Sequence, residues 1–159
     1  MAPASARCSG PFPDLALPDV DGRVHALSEA WRDGEALVLI GHEHCPTTRQ
    51  AIPFFDRIHR RRMRGTAVLV LQDEPATARS LATELALGVP IRLEAEPYPL
   101  ARALELAAVP TLVLVDQRGR IARVSEGFDR RELEAFAERL GVVGPLFRPE
   151  DRAPAFRPG

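Results

Sequence analysis

Gly41-His42-Glu43-His44-Cys45-Pro46-Thr47-Thr48-Arg49 is the stretch on which the fold turns. It follows an apolar run at 36–40 and leads into 46–63, where Ile52, Phe55, Ile58 and Met63 predict a helix with one apolar stripe. Pro46 directly after Cys45 marks a helix start, because proline suits the first helical position and leaves Cys45 as the N-cap. A sulfur placed there faces free backbone N–H groups and the positive end of the helix dipole. Both raise the thiolate fraction. The hydroxyls of Thr47 and Thr48 could add hydrogen bonds, and a protonated His44 could add charge. The alternative is a buried, inert cysteine serving as a small apolar group.

Two further apolar, branched runs lie downstream, Thr66–Leu71 and Thr111–Val115. None of the three alternates with polar residues, which is the pattern of strands covered on both faces. The 30 residues from Ala36 to Thr66 match one strand–helix–strand unit. A second helix is expected over 75–87, with Leu81 and Leu85 inward and Gly88 as its stop. A short strand at 91–93 and a third helix over 98–107 follow. Asp116-Gln117-Arg118-Gly119 reads as a hairpin turn into a strand at 120–125. Asp129 caps a last helix that ends near Leu140 and Gly141. Upstream, Asp19-Val20-Asp21-Gly22 is a turn between two short edge strands, and Ser28 reads as the N-cap of a short helix. From Gly144 there are four prolines in 16 residues, plus Phe147 and Phe156. This is an irregular extension whose two aromatics could pin it onto the body or onto a partner.

The composition narrows the function classes. The chain has 159 residues, 45% of them hydrophobic, and a net charge of −1, so nothing pulls it in bulk toward nucleic acid or an anionic membrane. No apolar run approaches the roughly 18 residues of a membrane span. The first ten residues hold one Arg and no apolar run, unlike a signal peptide, so the expected compartment is the cytoplasm. All 21 basic residues are Arg, which removes Schiff-base or general-base chemistry by a lysine. Two cysteines, Cys8 and Cys45, are too few for a disulfide scaffold.

Cys45-Pro46-Thr47-Thr48-Arg49, with Pro53 beyond it, resembles the C-P-x-C-R-x-x-x-P helix start of TlpA-like thiol–disulfide oxidoreductases. Val109-Pro110-Thr111, 65 residues after Cys45, is similar to their cis-proline loop. Pro11-Phe12-Pro13-Asp14-Leu15, followed by Asp21-Gly22 and Leu27-Ser28, resembles the N-terminal hairpin of redoxins, a group that includes the alkyl-hydroperoxide-reductase/thiol-specific-antioxidant proteins. The resemblance implies an α/β thioredoxin-like fold, with a central mixed sheet flanked by helices and an N-terminal redoxin hairpin. It also implies a cis Pro110 against the nucleophile Cys45, and a Val109 backbone free to pair with an extended substrate. The expected division is a flexible N-terminus at 1–10, the redoxin domain at 11–141 and a Pro-rich extension at 142–159.

The departures from that pattern carry information. Thr48 stands where a C-x-x-C enzyme has its second thiol, so Cys45 can attack but lacks the neighbour that resolves a mixed disulfide. His44 replaces the usual aromatic. The peroxiredoxin signature P-x-x-x-T-x-x-C is absent, because Val38 and His42 occupy its first two positions. Cys8, among small residues, is either a resolving thiol on an arm or an incidental cysteine. His42, His44 and Cys45 are metal-ligand types, but neighbours at a strand–helix junction point in different directions, and no metal or other cofactor is expected. Arg57, Arg60, Arg61, Arg62 and Arg64 complement the C-terminal dipole of the first helix or, alternatively, form a phosphate or nucleic-acid patch. Glu132, Glu134 and Glu138 read as a solvated face, and His25 and His59 as surface histidines. The expected function is a monothiol redoxin: Cys45, with Thr48 and Pro110 at the site and His44, Thr47, Val109 and Arg49 in support, attacks a disulfide or peroxide. An external thiol, or Cys8, resolves the product. The expected partners are thiol or disulfide substrates and a reductant. A non-catalytic binding module and a metal-handling module are the alternatives.

Overall fold

The three apolar runs become the middle strands of one sheet. In the computed structural model, which describes residues 9–159, β3 (Ala36–Gly41) lies between β4 (Thr66–Leu71) and β6 (Thr111–Val115). β5 (Ile91–Leu93) and β7 (Ile121–Glu126) complete the order β5-β4-β3-β6-β7. β3 runs parallel to β4 and antiparallel to β6. Every residue of β3 is buried, so its continuous apolar run covers both faces of the sheet.

The two faces have different chemistry. Leu37, Leu39, Leu69, Leu71, Leu112 and Leu114 turn toward α1 (Pro46–Arg61), α2 (Pro75–Glu84) and α4 (Arg130–Arg139). Val38, Ile40, Val68, Val70, Val113 and Val115 turn the other way, toward Phe12, Leu17, Trp31, Leu100 and Leu104. Strand alternation sends leucines to the helical layer and branched residues to the opposite one. Phe55 of α1 is fully buried in the first layer, where truncation to alanine would cost about 3–5 kcal/mol.

β1 (Ala16–Pro18) and β2 (Val24–Ala26) form the antiparallel N-terminal hairpin, its turn held by Asp21 and Arg23 amides donating to Asp19 Oδ1. Ser28 is not a cap. The turn of 3-10 helix covers Leu27–Trp31, and the Ser28 amide donates instead to Asp14 Oδ1.

Three helices are shorter than their patterns predict. α1 stops at Arg61 because Arg62 is extended, which leaves Met63 outside the helix and 76% exposed. Helix α2 stops at Glu84, ahead of Gly88, because Ala86 turns left-handed at φ 50. α3 covers only Pro99–Ala103, and Glu105 turns at φ 53. Asp129 does cap α4, its Oδ1 accepting from the Glu132 amide.

The Pro-rich segment is bound to the body. Leu146 and Phe147 are buried, and Phe147 sits 4.6 Å from Phe54 and 6.1 Å from Phe128, ring centre to ring centre. Arg57 holds Asp151 through two hydrogen bonds, at 2.8 and 3.1 Å, and the Leu146 carbonyl at 2.7 Å. Further on, β9 (Phe156–Arg157) pairs antiparallel with β8 (Phe128–Asp129). Of the two aromatics, Phe147 pins the segment and Phe156 remains 58% exposed.

Candidate active site

Sheet register builds the site. β3 ends where β6 begins, with Ile40 opposite Thr111, so the loop after β3 meets the residues before β6. Cys45 lies on the first and Val109-Pro110 on the second. The Val109–Pro110 peptide is cis, as is Glu96–Pro97 elsewhere in the chain.

Cys45 is the N-cap of α1, with extended backbone at φ −84 and ψ 114 and Pro46 following it. Its Sγ accepts from the Thr48 amide at 3.5 Å and donates to the Val109 carbonyl at 3.4 Å. The thiol is half-buried. Burial pushes its pKa up, but the Thr48 hydroxyl, the Thr48 and Thr47 amides and the charge of Arg157 outweigh that, and the pKa falls below that of an ordinary cysteine. Thr48 Oγ1 is buried and has no hydrogen-bond partner among the described residues.

Gly41 was not among the residues picked out by sequence, and the structure gives it a role. A Cβ there would come within 2.7 Å of Thr48 Oγ1 and 2.6 Å of its methyl group, so the strand end must be bare for Thr48 to sit beneath Cys45. The available signal was a glycine at the end of an otherwise apolar buried strand.

The supporting residues separate. The Thr47 hydroxyl does not serve the sulfur: it donates to the Pro158 carbonyl at 2.7 Å. His44 is 85% exposed at its side chain and lies 3.3 Å from Glu43. Arg49 bridges Glu43 and Glu84, at 3.5 and 2.5 Å, and with Glu43 and His44 lines an open cleft of about 610 Å³ against α2. The Glu43 amide donates to Asp73, whose carboxyl is pushed up by burial. Among the described residues no group of three or more His, Cys, Asp or Glu side chains could hold a metal ion, so His42, His44 and Cys45 do not assemble as ligands. Cys8 lies outside the described residues, as does the proposed flexible segment through residue 8.

The Val109 backbone is not open to a substrate in this structure. Gly159 packs so closely on it that a Cβ there would run into the Val109 carbonyl. Arg157 reaches Gln50 of α1 at 3.1 Å. None of Gln50, Arg157 or Pro158 was expected at the site.

This arrangement can be compared with solved proteins. A protein assigned as the thiol:disulfide interchange protein DsbE of Chlorobium tepidum superposes with a TM-score of 0.74 at 22% identity, covering 88% of this chain and 100% of its own. The chain has the thioredoxin-like fold. The same thioredoxin-like framework is shared with the peroxidoxin BcpB of Mycobacterium tuberculosis, at TM-score 0.71 and 15% identity over 88% of this chain and 99% of that one. The exposed lipoprotein thioredoxin of Streptococcus pneumoniae strain TIGR4 matches at 0.68 and 18%, over 80% and 98%. No family model and no curated protein matches the chain. Among the described residues no helix is long and apolar enough to cross a membrane.

Proposed function

We propose that the protein is a monothiol thiol–disulfide redoxin with Cys45 as its nucleophile. The observation that carries this is the Cys45 sulfur itself: it caps α1, accepts from the Thr48 amide, lies against the residue before cis-Pro110, and has Thr48 where a resolving thiol would stand. The thiolate attacks one sulfur of a disulfide. A new S–S bond forms to Cys45 as the old one breaks, and the other sulfur leaves as a thiolate. The Thr48 hydroxyl cannot displace sulfur from this mixed disulfide, so an external thiol completes the exchange and carries off the oxidising equivalent. With a peroxide the same thiolate would take one oxygen to give a sulfenic acid, releasing an alcohol or water, and a thiol would then reduce it. A low-molecular-weight thiol of that kind is plentiful in the cytoplasm, the compartment expected from the sequence.

Intact-mass analysis after a glutathione-disulfide challenge tests the proposal. The expected product is one glutathione per chain, absent from Cys45→Ser and retained in Cys8→Ser. A chain that instead turns over repeatedly on its own, at the same rate in Cys8→Ser, is not a monothiol enzyme. The competing function is a binding module, favoured by the extended segment that already lies beside Val109. It gains support if no adduct forms at all.

A further inference from the structure

We propose that residues 156–159 act in cis as an occluding strap, filling the seat beside Cys45 and Val109 where an extended disulfide substrate must lie. This rests on the Cys45 chemistry proposed above. The strap has four contacts at the site. β9 pairs with β8, the Pro158 carbonyl accepts from the Thr47 hydroxyl, Arg157 reaches Gln50, and Gly159 packs on the Val109 carbonyl. Gly127, at φ 72, makes the passage possible: a Cβ there would meet the Arg157 carbonyl at 2.6 Å.

The segment divides into an anchor and a latch. The anchor, around Leu146, Phe147 and Asp151, is held by buried aromatic contacts and by Arg57. The latch, from Ala155 onward, is exposed at every residue and holds by a few hydrogen bonds. An anchored segment stays at high effective concentration over the site, while exposed residues held by few hydrogen bonds detach at small cost. Peptide substrates would then reach Cys45 only through the lifted fraction, and their apparent affinity would fall by that fraction.

The test uses a Cys8→Ser background, the full chain against one ending at Ala155. This truncation removes only exposed residues. Rates are compared at a pH that fully ionises the thiol in both, because Arg157 also favours the thiolate. A bulky maleimide, which needs only an accessible thiol, should label Cys45 about tenfold faster without the strap. Adding a peptide Ala-Phe-Arg-Pro-Gly in excess should restore the slow rate. Thr47→Val in the full chain should accelerate labelling in the same direction by less, which keeps the test open if the truncated chain misfolds. Equal maleimide rates in full and shortened chains would overturn the strap. Faster maleimide labelling with no exchange toward a peptide disulfide would uphold the strap and refute the redox proposal. Disulfide exchange at equal rates in both chains would do the opposite.

Discussion

The two ends of α1 carry the most reactive-looking residues of the chain, and they have opposite fates. At the N-terminal end Cys45 meets donors with little else to do: the first amides of α1 and a Thr48 hydroxyl with no other partner among the described residues. At the C-terminal end five arginines stand within eight residues, and each is committed. Arg57 binds Asp151 and Leu146, Arg60 binds Asp56 and the Ala86 carbonyl, and Arg61 binds the Val143 and Pro145 carbonyls. Arg62 binds the Gly65 and His59 carbonyls, and Arg64 the Arg139 carbonyl. A chemically capable side chain is available for function only when its partners leave capacity unspent. By that measure the cysteine end keeps capacity for chemistry, while the arginine end is a clamp that satisfies loop carbonyls and docks the 142–152 segment.

The sharpest way to break the contrast is Thr48→Cys. It supplies the missing thiol at a position already buried beneath Cys45. The expected result is an internal disulfide in place of the glutathione adduct, and multiple-turnover reduction of an insulin-type substrate raised on the order of a hundredfold or more, because resolution becomes intramolecular. Reductase assays with mass analysis check this, and an unchanged adduct would show that the two positions do not communicate.

A smaller effect separates the clamp from ordinary surface charge. Arg57→Ala removes a half-buried ion pair and a carbonyl contact, and leaves Asp151, now held at a pKa of about 2, with the Arg148 amide but without its cation. The expected loss is about 1–3 kcal/mol in chemical denaturation. Arg139→Ala breaks the exposed pair with Glu35 and is expected to cost no more than about 1 kcal/mol. Equal losses would mean that the arginines at the end of α1 are interchangeable surface cations.

Much of the architecture was legible because burial on both faces writes unbroken apolar runs, and β3, β4 and β6 fall where those runs lie. The Cys45-Pro46 cap was legible for a local reason: proline at a first helical turn leaves one residue at the cap. Helix ends were not, since Ala86 and Glu105 take left-handed conformations that their residue types do not advertise. The least legible part was the 142–159 segment. Its prolines suggest irregular chain, yet its placement depends on pairs such as Arg57–Asp151 and Thr47–Pro158, about a hundred residues apart. No local pattern distinguishes Phe147, which docks, from Phe156, which does not. The Thr47 hydroxyl was unreadable for the same reason: it serves a distant carbonyl, and only the Thr47 amide serves the neighbouring sulfur.

The Cys45 thiol has a pKa below that of an ordinary cysteine. Because the folded chain binds the thiol proton less tightly than the unfolded one, the site contributes stability above the ordinary thiol pKa and loses it as pH falls through the folded value. The direct measurement is the rate of Cys45 alkylation by iodoacetamide against pH in Cys8→Ser, with Thr48→Val beside it. The predicted curve has its midpoint below the usual cysteine value of about 8.5, and Thr48→Val moves the midpoint upward. A midpoint at or above 8.5 that ignores Thr48→Val would contradict it.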